Sequence, residues 1–187
     1  MQKVVVFDFD GTLTNYDSLA RFFFERIKIQ KRYALYILLF ALKVSSKLKI
    51  TSVAFEKMTM LKALFGSDMV KMQTAFADYA KHIELNELGC LPNIKKEEGA
   101  RVIILSASPS EYIKVVYPMC EVVGLEYSFA NKSIKVTCHP YGKEKKRILL
   151  DMGIERIDEF YYDSKSDESV LPIAVKGYKV KQGKFLI

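Results

Sequence analysis

From residue 17 to residue 87 the chain has no proline and a single glycine, Gly66. Apolar side chains recur there at helical spacing, so the segment reads as several consecutive helices. On either side of it, short runs rich in β-branched and aromatic residues, at 3–9, 101–106, 126–129, 159–162 and 173–176, alternate with helical patterns. That alternation predicts a parallel sheet covered by helices on both faces. The expected architecture is α/β, with a core of residues 1–14 and 88–187 and an all-helical insertion at 15–87, directly after the first strand. Leu91-Pro92 restarts the core. With 187 residues, half of them hydrophobic, the chain can bury a core of that size.

The first strand leads into Phe7-Asp8-Phe9-Asp10-Gly11-Thr12-Leu13-Thr14. Residues i and i+2 of a strand point the same way, so Asp8 and Asp10 present their side chains toward one spot beyond the strand end. Like charges that close repel, and a bound cation or a shared proton is the usual reason to tolerate them. Asp10-Gly11 alone would also suit a polar turn. Asp8 would not, because it lies inside an apolar segment where carboxylates are seldom left unpaired.

The Asp-x-Asp-Gly-Thr-Leu-Thr run resembles the first motif of the haloacid dehalogenase-like phosphohydrolases. Three later segments resemble that family's remaining motifs, in order: Val102-Ile103-Ile104-Leu105-Ser106-Ala107-Ser108-Pro109 with a Ser at a strand end, Gly142-Lys143-Glu144-Lys145 with a Lys at a helix start, and Tyr161-Tyr162-Asp163-Ser164-Lys165-Ser166-Asp167 with an acidic pair after a strand. The resemblance implies a Rossmann-like parallel sheet with helices on both faces and an inserted helical cap of the phosphoserine-phosphatase-like kind. It also implies a magnesium-dependent phosphatase working through an aspartyl-phosphate. By matched position, Asp8 is the nucleophile and Asp10 the general acid and then base. Ser106 and Lys143 or Lys145 balance the charge of the transferring phosphoryl group. Asp8, Asp163, Asp167 and the backbone carbonyl of Asp10 surround Mg²⁺. Thr12, Ala107, Asp17, Phe55 and Lys62 fall in the substrate-binding set.

The chain departs from the phosphoserine-phosphatase pattern at several of these places. Asp17 stands for a Glu, Lys62 for an Arg, Gly11 for a Ser, and Tyr162 for the Gly before the motif-four acid. Arg grips a carboxylate with two parallel hydrogen bonds and Lys cannot, so phosphoserine is not the favoured substrate.

A formal charge of +7 favours anionic partners such as phosphate esters, anionic lipid surfaces or nucleic acid without choosing among them, and the resemblance implies a small phosphorylated substrate. No nucleic-acid reading element accompanies it, so nucleic acid is not an expected partner. Three cysteines without paired spacing argue against a disulfide framework or a zinc ribbon. Neither Cys138-His139 nor the pair His82 and Cys90 has zinc-site spacing. A cytoplasmic location fits best, because the first strand begins too near Met1 for a leader peptide. Asn131-Lys132-Ser133 is a glycosylation sequon by letter alone. Nothing in the sequence assigns an oligomeric state.

The run Tyr33-Ala34-Leu35-Tyr36-Ile37-Leu38-Leu39-Phe40-Ala41-Leu42 has basic flanks and is too short to span a bilayer, which takes about 20 apolar residues. A buried cap helix is favoured over a surface resting on anionic membrane, a contact that would suit a lipid-phosphate substrate. Phe22-Phe23-Phe24, with Phe40 and Phe55, likewise reads as cap core and not as a base-stacking platform.

Overall fold

The computed structural model describes residues 2–130 and 133–186, so Asn131 and Lys132 of the sequon lie outside it. Its single sheet comprises β1 (Val4–Phe7), β2 (Arg101–Pro109), β3 (Glu121–Ala130), β4 (Ser133–Cys138), β5 (Ile157–Tyr162), β6 (Ala174–Lys181) and β7 (Lys184–Phe185), in the order β4-β3-β2-β1-β5-β6-β7. The five inner strands are parallel, with β1 at the centre. Alternation across the pleat then makes two cores. Val5, Phe7, Val102, Ile104 and Tyr161 face one layer, whereas Val6, Ile103, Leu105, Phe160 and Tyr162 face the other.

The edges depart from the expected all-parallel sheet. Strands β4 and β7 were not anticipated, and both run antiparallel to their neighbours. For β7 the cause is local. Gln182 and Gly183 both have positive φ, 50° and 74°, the backbone of a two-residue hairpin turn that sends the chain straight back.

Four helices occupy the insertion between β1 and β2: α1 (Ser18–Ile29), α2 (Leu35–Lys47), α3 (Val53–Phe65) and α4 (Met69–Ala80). Three start on side-chain caps. Asp17 accepts from the Ala20 N–H at 2.9 Å, Ser52 from Phe55 at 3.1 Å and Asp68 from Lys71 at 2.9 Å, each satisfying a donor that has no partner within its helix. Phe22, Phe76 and Tyr79 then pack together in tilted and edge-to-face contacts and join the first sheet core through Tyr112 of α6 (Ser110–Val116). The other face of the sheet is covered by α7 (Lys143–Asp151) and a 3₁₀ helix (Lys165–Ile173), through Leu149 and Val170. A short α5 (Leu91–Glu97) precedes β2.

The expected burial of the apolar run is met on one side only. Leu39 and Leu42 are buried, and Leu35, Tyr36 and Leu38 pack on the core, but Tyr33, Ile37 and Phe40 face solvent. Phe24 and Phe55 are also exposed, so only Phe22 and Phe23 of the expected aromatic core are interior. The reason is geometric: α2 packs on α1 and α3 along one side, which buries one stripe, and its first two turns are apolar all round. No helix among the described residues is long and apolar enough to cross a membrane.

Candidate active site

Strand β1 ends at Phe7, and the Asp8 N–H continues its pairing with β5 by donating to the Tyr161 carbonyl at 2.9 Å. The Asp8 carboxylate is thereby fixed, almost fully buried, at the carboxyl end of the central strand. This is where ligands bind in open α/β sheets. From the first turn of α7, Lys145 reaches the same point. Its Nζ lies 2.6 Å from Asp8 Oδ1 and 2.6 Å from Asp167 Oδ1. The Thr12 hydroxyl donates to Asp8 Oδ2 at 3.3 Å, and the Ser164 hydroxyl to Asp167 Oδ2 at 2.7 Å.

Asp163, just beyond β5, completes the cluster: one carboxylate oxygen each from Asp8, Asp163 and Asp167 lie within 4.8 Å of one another. The Asp163 side chain leaves no room for a side chain at residue 11. Gly11 has φ +79°, and a Cβ there would overlap the Asp163 carboxylate. That is a physical reason for glycine at this position.

Asp10 faces a different set of groups. Its Oδ1 accepts from the Ser18 N–H at 2.7 Å and its Oδ2 from the Ser108 hydroxyl at 2.5 Å. Ser18 also shares a hydrogen bond with the Tyr112 hydroxyl at 2.8 Å, and its carbonyl accepts from Tyr79 at 2.7 Å. The start of α1 is thus tied to the second carboxylate by a buried polar network. Ser106 is fully buried, and its Oγ accepts from the Ser108 N–H at 3.0 Å.

Burial sets the electrostatics. It lifts Asp8 to about 7, against the pull of Lys145 and with help from Asp167. It also lifts Asp163 to about 6, again with Asp167 contributing. Asp10 is raised by burial and by Asp17, while its hydrogen bonds from Ser108 and Ser18 oppose the rise. Burial presses the Lys145 ammonium down, but Asp8 and Asp167 outweigh it and raise its pKa. One cation facing three carboxylates leaves negative charge uncompensated. The donors are hard oxygens, the type that Mg²⁺ takes. The residues therefore fit a divalent cation, with Asp8 and Asp163 placed to hold it and Asp167 engaged chiefly with Lys145.

Asp8, Asp10, Ala107, Lys145 and Asp163 open onto a cleft of about 1130 Å³, whose opposite wall comes from the insertion. That wall carries Phe40, Lys43, Val44, Glu56 and Lys57. Glu56 is buried and paired with Lys43 at 3.3 Å, and Lys43 also reaches Asp17 at 3.3 Å. Lys57 Nζ donates to the Ala107 carbonyl at 2.7 Å, and burial lowers its pKa.

Residues 5–145 match the haloacid dehalogenase-like hydrolase family. The chain belongs to that family. The fold of this haloacid dehalogenase-like hydrolase is shared with a Bordetella pertussis Tohama I protein of unknown function, at TM-score 0.77 and 14% identity over 96% of this chain and 90% of that one. A phosphoserine phosphatase from T. onnurineus in complex with NDSB-201 superposes at TM-score 0.59, with 18% identity over 95% of this chain and 82% of that chain. A phosphoserine phosphatase solved as a phospho-aspartyl intermediate analogue gives 0.61, with 15% identity over 96% and 87%. No curated protein matches the sequence significantly.

Within the hydrolase fold, most of the expected residues converge. Asp8, Asp10, Ala107, Lys145, Asp163 and Asp167 line the cleft, with Thr12 and Ser106 buried behind them. Asp17 is exposed at the rim, as the cap of α1. The structure separates the two candidate lysines, and two expectations are corrected. Lys143 is exposed and outside the cleft, because Lys145 shares the buried face of α7 with Leu149, one turn on. Phe55 and Lys62 are both exposed and do not line the cleft, because α3 turns Glu56 and Lys57 inward instead. Sequence reasoning missed Ser18, Ser108 and Lys57. Ser108 carries a signal, since it follows Ser106 at the same i, i+2 spacing as the paired aspartates. Lys57 carries none, being one of many lysines in the insertion.

Proposed function

We propose that this hydrolase is a magnesium-dependent phosphatase that cleaves a phosphomonoester through an aspartyl-phosphate on Asp8. The observation that carries the reading is Lys145 bridging Asp8 and Asp167, with Asp163 beside them, where the cleft meets the end of the central strand. In this reading residues 15–87 form a cap over a core of residues 1–14 and 88–187. The Asp8 carboxylate attacks phosphorus and the ester P–O bond breaks. Asp10, whose burial favours the protonated form, gives its proton to the leaving alkoxide. The resulting Asp10 carboxylate then takes a proton from water as that water attacks the aspartyl-phosphate, which frees Asp8 and inorganic phosphate. Lys145, the Ser106 hydroxyl and backbone N–H groups near Ala107 offset the charge on the phosphoryl oxygens. When bound beside Asp8 and Asp163, Mg²⁺ supplies further charge neutralisation.

The exposed positions of Phe55 and Lys62 weigh against a phosphoserine-type carboxylate grip by this pair. A cytoplasmic location belongs to the same proposal, supported by three free cysteines. Phosphate release from a panel of phosphomonoesters, with Mg²⁺ and with chelator, tests the function. Release that chelator abolishes is expected; no release from any substrate in Mg²⁺ would remove the reading.

Two further outcomes follow from the carboxylates. Unfolded, Asp8 and Asp163 ionise near the ordinary value of about 4; folded and metal-free, they ionise near 7 and 6. The folded state holds more protons across that interval, so metal-free stability falls as pH rises from about 4 to about 7. Melting curves should therefore show a larger Mg²⁺-induced rise in Tm at pH ~8 than at pH ~5. Equal Tm with and without Mg²⁺ at both pH values would contradict a cation at this site. Separately, Ser108→Ala removes a donor that stabilises ionised Asp10. The limb of the pH–rate profile that reports Asp10 should move to higher pH; an unmoved profile would detach Asp10 from the rate.

A further inference from the structure

Helix α2 presents apolar side chains on its outer side as well as its inner one. Ile37 is 75% exposed, Phe40 72%, Val44 40% and, just past the helix end, Leu48 65%. Their spacing of three and four residues aligns them in one stripe. Contiguous exposed apolar surface of this kind marks an interaction site.

The surrounding charge selects the occupant. Residues 26–55 contain seven Lys or Arg and no Asp or Glu. Lys28, Lys31, Lys47 and Lys49 are all exposed. A second copy meeting this face through a two-fold axis would oppose those cations to themselves, which disfavours a dimer. An anionic lipid surface meets both needs at once: its acyl boundary takes the apolar stripe, and its headgroups take the lysines. Position adds a third observation. Phe40 and Val44 also line the cleft that holds Asp8 and Asp10, so the stripe and the mouth of the cleft share one edge.

We propose that the outer face of α2 docks on anionic membrane surfaces and brings the cleft to phosphomonoesters carried by lipids. The docking stands on the surface alone; the lipid substrate rests on the phosphatase reading above.

Flotation of the full chain with phosphatidylcholine vesicles, with and without phosphatidylglycerol, tests the docking. Wild type should float with the anionic vesicles and be released in ~1 M salt, where screening acts over about 3 Å. The double variant Ile37→Glu/Leu48→Glu changes two exposed side chains that do not line the cleft. It should keep the wild-type Tm and its turnover of a soluble aryl phosphate, while losing at least about tenfold in vesicle binding and at least about tenfold in phosphate release from phosphatidic acid vesicles. Lys28→Gln/Lys31→Gln/Lys49→Gln, which leaves the apolar stripe intact, should also float less.

Failure of wild type to float, or equal flotation by wild type and the double variant, would overturn the proposal. So would a concentration-dependent dimer that the double variant abolishes without any vesicle binding. Wild type that floats and hydrolyses the aryl phosphate but not phosphatidic acid overturns the lipid substrate alone. Inactivity on both substrates with flotation intact refutes the phosphatase reading and leaves the docking supported.

Discussion

Asp8→Asn should lower phosphomonoester turnover by at least about a thousandfold and abolish the phosphoenzyme, the scale seen when a covalent catalyst loses its nucleophile. An amide oxygen attacks phosphorus poorly and is a weaker ligand for a cation. The fold should survive, because Asn keeps the shape of Asp and removes one negative charge from a site where burial and Asp167 already disfavour it. Lys145 would keep Asp167 as its partner. Phosphate release, acid-quench trapping of the phosphoenzyme and a thermal melt on the same preparation separate the outcomes. Near-normal Mg²⁺-dependent turnover by the variant would falsify the assignment of Asp8. Asp10→Asn should behave differently, slowing poor leaving groups most, since these most need a proton.

Lys145→Ala is expected to damage both activity and stability. It deletes the cation between two buried carboxylates. Breaking a buried pair by removing one member typically costs about 3–5 kcal/mol; protonation of Asp8, already shifted toward neutral pH, would soften this as pH falls. In the proposed mechanism the same ammonium faces the incoming phosphoryl group, so kcat/KM should fall on the order of 100- to 1,000-fold. Lys145→Met, which keeps much of the volume but none of the charge, should lose nearly as much stability as Lys145→Ala and the same rate. Lys143→Ala should leave both near wild type, because Lys143 is exposed and outside the cleft. Melting curves and kcat/KM on the three variants check this, and a severe loss confined to Lys143→Ala would name the other lysine.

The choice between these lysines shows where sequence reasoning stops. Asp8, Asp10, Ser106 and Asp163 were legible because each follows an apolar strand, and a strand end fixes the direction of its side chains through a period of two. The helical insertion was legible because 17–87 lacks proline and has one glycine, so nothing interrupts its periodicity. Lys143 and Lys145 both occupy the first turn of one helix, and local pattern does not rank them. The burial of Leu149 in the core that also holds Val6 and Phe160 ranks them, by turning Lys145 toward Asp8.

The insertion follows the same logic. Helix α3 was expected from its pattern, yet which of its side chains meets the cleft depends on how it is rotated against α2 and the sheet. That rotation brings Glu56 and Lys57 inward and leaves Phe55 and Lys62 in solvent. Likewise, a stretch apolar on every side, such as the first two turns of α2, does not encode which stripe is covered. The sequence alone determined the α/β alternation, the site of the insertion and the carboxylates at the strand ends, because backbone periodicity and chain order impose them. Only the tertiary structure decided which lysine is interior, which residues of the insertion face the cleft and which side of α2 stays bare, because each depends on packing between elements distant in the chain.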